Sequence, residues 1–257
     1  MALANNSDKD WEIFGKTDPY FAVLTDPKFL IENLDESSIQ SFFESGNQHI
    51  EHVYQLVRAT IQPDFHPERV LDYGCGVGRL VVALAQRARS VVGIDISPSM
   101  LAEARKNCDR LNLFSIDLLH FDQIDSLAPA SFDLIHSCLV FQHIPVKRGE
   151  AIFRKLISLV APGGVGAIHF TFSDTKPLTH RGLSYLRKRF DLINKLFNLA
   201  KLNAASAPLM QMNNYSLNRL FDILIETGCS NLHVELLIDD VHHGAFLLFK
   251  KTSVLPS

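Results

Sequence analysis

Three aspartates and one glycine-rich loop are placed where this chain could hold a polar ligand. Asp72 stands directly before Gly74-Cys75-Gly76-Val77-Gly78, Asp95 closes the apolar run Ser90-Val-Val-Gly-Ile-Asp95, and Asp117 closes Leu113-Phe-Ser-Ile-Asp117. Gly74, Gly76 and Gly78 lack Cβ atoms, so the backbone can turn sharply and a ligand can lie against the peptide groups of a helix N-terminus. Ionised carboxylates are pure acceptors with several lone-pair sites, so an aspartate at a strand end can receive hydroxyl or ammonium hydrogens. Taken alone, the loop is equally a strand-to-helix turn, and either aspartate alone is a strand-end cap; their order along the chain carries the ligand-binding interpretation.

The elements that must position these groups follow from the hydrophobic pattern. Arg69 to Asp72 reads as a buried strand, with a helix starting near Val77 and running through Leu80 to Arg89. Ser90 to Asp95 is a second strand, and Ser97-Pro98 opens a helix that continues to Arg110, with serine at the cap and proline in the first turn. Strands follow at Leu113 to Asp117, Phe132 to Cys138 and Val165 to Phe172, with a helix from Val146 to Val160 and a turn at Pro162-Gly163-Gly164. Alternating strands and helices imply a Rossmann-like, doubly wound α/β sheet with helices on both faces and ligands at the C-terminal strand ends. Strands near Asn231 to Ile238 and Ala245 to Lys250 predict an antiparallel C-terminal hairpin on an otherwise mostly parallel sheet. Upstream, residues 37–61 have helical spacing with Ser37 or Ser38 as cap, and Gly46 divides or bends that helix. The aromatics Trp11, Phe14, Tyr20, Phe21 and Phe29 anchor an N-terminal arm. Two regions result: residues 1–65 as arm and helices, and 66–257 as the core, with a helical insertion at about 173–215.

Composition narrows the function classes. Apolar residues make up 47% and charged residues 21% of 257, an ordinary globular balance, and no run of about 18 uncharged apolar residues suggests a membrane span. A net charge of −3 argues against a whole-domain basic footprint for nucleic acid. Cys75, Cys108, Cys138 and Cys229 form no Cys-x-x-Cys pair, so no zinc knuckle or disulfide framework is indicated. The first ten residues lack a basic segment followed by an apolar one, and a cytoplasmic protein is expected.

The succession Val70-Leu-Asp-Tyr-Gly-Cys-Gly-Val-Gly78, Val92-Gly-Ile-Asp95, Asp117, Phe132-Asp-Leu-Ile-His-Ser and Pro162-Gly-Gly164 resembles the class I methyltransferases that use S-adenosylmethionine, of the small-molecule type 11/12. The resemblance implies S-adenosyl-L-methionine as cofactor, with Gly74, Cys75, Gly76 and Gly78 facing its ribose and methionine portion. It implies Asp72 near the methionine moiety, Asp95 with the adjoining Ile96 on the ribose, and Asp117 on the adenine amine with Leu118 on the ring face. A nicotinamide dehydrogenase also uses a glycine loop and an acid after the second strand. The Gly-x-Gly-x-Gly spacing, Asp72 before it and the second acid at 117 favour the methyltransferase.

The acceptor is less explicit. Cys138-Leu-Val-Phe-Gln-His-Ile-Pro145 replaces the Asn/Asp-Pro-Pro-Tyr type motif of many nucleic-acid amine methyltransferases, and its His-Ile-Pro ending is similar to enzymes acting on sugars, lipids and natural products. The resemblance therefore implies O-methylation of a small molecule, with His143 as the first candidate for a general base because it follows the fourth strand beside the methyl position; the alternative is that His143 caps or orients the loop. His169 is expected as a core histidine. A basic amphipathic segment at 174–201, including Arg187, Lys188 and Arg189, is equally a solvated face or the receiver of an anionic or carrier-bound acceptor. A protein methyltransferase and a non-catalytic S-adenosylmethionine-binding partner subunit are the alternatives.

Overall fold

The computed structural model describes residues 7–175 and 208–252. Seven strands form one sheet in the order β3-β2-β1-β4-β5-β7-β6. The strands are β1 Arg69–Tyr73, β2 Ser90–Asp95, β3 Ile116–His120, β4 Phe132–Ser137, β5 Val160–Asp174, β6 Cys229–Ile238 and β7 His242–Lys251. Neighbours from β3 to β5 pair in parallel, while β7 runs antiparallel to both β5 and β6. The Rossmann-like sheet with an antiparallel C-terminal hairpin is thus the observed fold. Among the described residues no helix is long and apolar enough to cross a membrane.

Helices cover both faces. α1 Ser7–Thr17, α2 Pro19–Val23, α3 Glu36–Thr60, α4 Arg79–Ala85 and α5 Pro98–Arg110 contribute to one side, with Phe42, Ile50, Val53, Leu84 and Met100 in a core against Val70, Leu134 and Leu248. α6 Val146–Leu159 and α7 Leu217–Glu226 bury Phe153, Leu156, Leu220 and Ile223 against Leu71, Ile135 and Phe249 on the other side. Residues of the 1–65 segment share a core with the sheet. The expected insertion at 173–215 and its basic segment lie mostly outside the described residues, since only 173–175 and 208–215 belong to them.

Several local expectations are corrected. β3 begins at Ile116, because Leu113 N still bonds Cys108 O at the end of α5 and Asn112 takes φ 54°. The strand therefore ends at His120, opposite Asp95, and Asp117 lies near its start beside Val92. α4 starts at Arg79 because Gly78 turns left-handed at φ 88°. Pro162-Gly163-Gly164 is no turn outside the sheet but an irregularity within β5, where the register passes from Phe132↔Val160 to Leu134↔Val165. α3 is capped by Asp35, whose side chain accepts from Ser38 N while Ser38 Oγ accepts from Asp35 N. It runs unbroken for 25 residues through Gly46.

Candidate active site

β1 lies between β2 and β4, so the crossovers leave its C-terminal end in opposite directions and open a crevice there. The glycine loop borders this crevice. Gly74, Gly76 and Gly78 have φ 75°, 51° and 88°, the left-handed region where side chains with Cβ are strained. Gly74 N and Cys75 N both donate to Ile94 O, at 2.7 and 2.9 Å, which fixes the loop against β2. Asn107 Nδ2 donates to Val77 O at 3.0 Å and ties its far side to α5.

Asp95 is clamped by two peptide groups. Gly76 N donates to Oδ2 and Ser97 N to Oδ1, both at 2.9 Å, so each oxygen keeps acceptor capacity toward the crevice. Burial pushes this carboxyl up, while the Ser97 and Gly76 N–H groups oppose the shift. Burial also raises the Cys75 thiol well above its usual range, so Cys75 is a neutral packing group.

A cavity of about 920 Å³, its open mouth included, occupies the crevice. Of the residues singled out from sequence, Asp72, Gly74, Cys75, Gly76, Asp95, Ile96 and His143 line it. Gly78, Asp117 and Leu118 do not; Gly78 serves as the N-cap of α4, and Asp117 is exposed on the neighbouring strand. Phe121, just past the end of β3, lines the cavity where Leu118 was expected.

Sequence reasoning missed the roof. Ser7, Asp8 and Trp11 of α1 line the cavity, with the Trp11 ring 4.8 Å from that of His143. Glu12 fastens α1 to the start of α5. Its carboxylate accepts from Ser97 Oγ at 2.7 Å, Ser99 Oγ at 2.8 Å and Ser99 N at 3.2 Å. Burial pushes the Glu12 pKa up, but these bonds together with Lys16 outweigh it and hold the group at about 2. Arg148 bonds Asp8 at 2.6 Å and lies 5.3 Å over the Phe121 ring, linking the roof to the wall.

His143 is buried and held on both ring nitrogens. Nδ1 donates to Gln211 O at 2.6 Å, which leaves Nε2 as the acceptor for Gln142 Nε2 at 3.2 Å. Gln142 is itself held by Thr171 Oγ1 at 2.9 Å. His169 is buried in β5 as expected, and burial and His143 push its pKa down to about 4.

A second histidine pair lies below the loop. His136 Nδ1 meets Asp72 Oδ1 at 2.8 Å, and its Nε2 meets His49 Nε2 at 3.0 Å; Asp72 and His136 are 2% and 0% exposed. The patterning of β4 gave no sign of this, because an isolated histidine in an apolar strand has no periodic signature. Nearby, Arg79 lines the cavity at 6% exposure, with one bond from Nη1 to Ser45 Oγ and no ion pair among the described residues.

Comparison with known proteins bears on the family and the fold. Residues 70–164 match a family model described as a methyltransferase domain. Trans-aconitate 2-methyltransferase of Rhodopseudomonas palustris is 32% identical over 104 residues, 40% of this chain and 38% of its own length. Ubiquinone biosynthesis O-methyltransferase of Neisseria meningitidis is 32% identical over 105 residues, 40% of this chain and 43% of its own length. The chain thus spans about two-fifths of the length of the curated relatives it matches. Magnesium protoporphyrin IX methyltransferase from Synechocystis PCC 6803, solved with bound S-adenosylmethionine, superposes with TM-score 0.61 at 17% identity, covering 98% of this chain and 100% of that one.

Proposed function

We propose that this chain, which belongs over residues 70–164 to the class I S-adenosylmethionine-dependent methyltransferases, binds that cofactor beneath α1 and methylates a hydroxyl group of a small molecule. The observation that carries the proposal is the crevice itself: two left-handed glycines, Gly74 and Gly76, a carboxylate clamped by Gly76 N and Ser97 N, and a second carboxylate, Asp72, lining the same space.

The residues present fit the cofactor. Asp95, with acceptor capacity on both oxygens, would receive the ribose hydroxyls. Ile96 and Phe121 offer apolar faces to the adenine, a role that moves from Leu118 to Phe121. Asp72 would receive the methionine ammonium, because only Oδ1 is committed to His136. When bound, the cofactor supplies an electrophilic methyl on sulfur. The chain's contribution is alignment: the loop fixes one side, Trp11 and α1 exclude water from above, and Cys138, Leu139 and Val140 shape the wall beyond β4.

O-methylation is supported by the name of one relative and by His143, which lines the cavity. His143 presents Nε2 as its unprotonated nitrogen, the form a base requires, although Gln142 must release it first. Four free thiols accord with a reducing, cytoplasmic setting. The test is calorimetry: S-adenosylhomocysteine binds, and Asp95→Ala weakens it at least tenfold, about 1.4 kcal/mol. No binding to the wild-type chain refutes the proposal.

A further inference from the structure

The cavity holds one cation that nothing neutralises. Of the charged residues lining it, Asp8 and Arg148 offset each other through their 2.6 Å bond, which leaves Asp72, Asp95 and Arg79. Other arginines of the chain are compensated: Arg87 meets Glu51, Arg154 meets Glu226, and Arg69 lies over the Phe132 ring. Arg79 has neither a carboxylate nor an aromatic ring among the described residues, although it is 6% exposed. Its one bond runs from Nη1 to the neutral Ser45 Oγ at 3.3 Å. Nε is buried without a partner, and Nη2 has none among the described residues either. These two nitrogens share the edge of the guanidinium that presents parallel N–H groups, the edge a carboxylate takes with both oxygens.

We propose that Arg79 is the carboxylate receptor of the cavity, its Nε–Nη2 edge taking a carboxylate of the bound ligand in a bidentate pair. The proposal rests on the methyltransferase reading and adds the chemical class of group that the site selects. A singly charged carboxylate fits better than a phosphate, because a group near −2 would share the cavity with Asp72 and Asp95 and find only one unpaired cation. The same chemistry has two sources. The cofactor carries a methionine carboxylate, next to the ammonium assigned to Asp72, and a hydroxy-acid acceptor carries its own. The two arms of the test separate them.

The backbone holds this cation in place. Arg79 is the first residue of α4, directly after the left-handed Gly78. α3 crosses so closely that a Cβ at Gly46 would lie 2.5 Å from Arg79 O and 3.1 Å from its Cγ. Ser45, next to Gly46, gives its own hydroxyl hydrogen to Phe42 O at 2.6 Å, so its lone pairs are left for Nη1. The side chain is thus fixed through Nη1, and the opposite edge stays unused. Burial pushes the Arg79 pKa down, and Cys138 and Asp72 oppose the shift, yet a guanidinium stays charged in a protein. A buried charge of this kind is unfavourable until a counter-ion reaches it, which is the physical basis for selecting an anionic ligand group.

The first arm is calorimetry on the full chain with S-adenosylhomocysteine and with its decarboxylated analogue, which keeps the ammonium. If the cofactor supplies the carboxylate, the wild type should bind S-adenosylhomocysteine about tenfold or more tighter than the analogue, and Arg79→Met should shrink that ratio to within about threefold. Arg79→Lys keeps the charge without the fork and should restore part of the ratio. A merely structural arginine would weaken both ligands alike and leave the ratio unchanged.

The second arm adds matched pairs of hydroxy acids and their amides to the chain with S-adenosylhomocysteine in place, and follows the Arg79 Nε–H resonance of 15N-arginine-labelled protein. If the acceptor supplies the carboxylate, the wild type should bind acids about tenfold or more tighter than amides, the acids should move that resonance, and Arg79→Met should treat both alike. No preference for a carboxylate in either arm, or a preference that survives in Arg79→Met, overturns the proposal. Should Arg79→Met fail to fold, the wild-type resonance decides: a signal unmoved by every carboxylate ligand overturns it as well. Failure of the wild-type chain to bind S-adenosylhomocysteine or its analogue sinks the methyltransferase reading instead, and the acid–amide comparison on the free chain still reports on Arg79.

Discussion

Replacing Glu12 by Gln tests whether α1 is a fastened roof. The side chain is about one-quarter exposed and accepts three hydrogen bonds at the N-terminus of α5, where a negative charge also meets the helix dipole. Charge-assisted bonds contribute about 1.5–3 kcal/mol each where buried, and partial exposure discounts them. A glutamine keeps one acceptor oxygen and loses the charge, so a net loss of about 2 kcal/mol is expected, roughly a 30-fold rise in the undocked population. Hydrogen exchange of the peptide 7–17 should accelerate by about that factor, and the emission of Trp11, the only tryptophan, should shift as its contacts with Phe14 and His143 open. The pH sign follows from a folded pKa of about 2 below a reference of 4.5. The stabilisation is full above about pH 4.5, declines as pH falls, and is lost near pH 2. Wild-type docking should therefore weaken between pH 4.5 and 2, and Glu12→Gln should lack that dependence. Identical exchange over residues 7–17 in the variant and the wild type at pH 7 would refute the fastening.

Two glycine substitutions test the packing around the cavity. A Cβ at Gly149 would lie 1.9 Å from the Tyr215 hydroxyl, which bonds Ile144 O, so Gly149→Ala should cost about 2–4 kcal/mol in denaturant unfolding. Adding Tyr215→Phe should recover part of this, and an unchanged midpoint would show that α6 can shift freely. At Gly74, φ 75° and a Cβ position 2.3 Å from Val140 Cγ2 make Gly74→Ala strained by about 1–2 kcal/mol before the clash is counted. Calorimetry should show weaker S-adenosylhomocysteine binding, and wild-type affinity would contradict the role assigned to the loop.

The legible parts of this chain are those where local chemistry decides. Ser97 and Pro98 define the start of α5 because a cap and a fixed φ act within one turn, and Ser90 to Asp95 is apolar between polar ends. Asp95 was readable because it ends a strand next to the switch point. Asp117 was misplaced because Leu113 and Phe114 look like strand residues, yet the chain is still unwinding from α5 there. Phe121 was hidden by the same shift. Trp11, Asp8 and Arg148 reach the cavity through contacts across more than a hundred positions of chain, such as Arg148 to Asp8, which no periodicity encodes.

Gly46 shows how a residue misread locally can be decisive for the site. Glycine inside a helix normally costs about 1 kcal/mol, which is why it suggested a break in α3. Its Cβ position lies 2.5 Å from Arg79 O, so the missing side chain is what lets α3 lie directly on the first residue of α4. One turn later on the same helix face comes His49, at the i+3 position. That close approach brings His49 within 3.0 Å of His136, and the β1–β4 register sets His136 directly opposite Asp72. Two backbone decisions therefore create this hydrogen-bonded chain: a strand order that makes β1 and β4 neighbours, and a helix close enough to the glycine loop to reach below it. Without His49, the Nε2 of His136 would be a fully buried acceptor with no donor, a cost of about 1–3 kcal/mol. Without His136, Asp72 would lose the bond that fixes one of its oxygens and leaves the other for the cavity. The three side chains are energetically comprehensible only together, as one hydrogen-bonded unit rather than as three separate core residues.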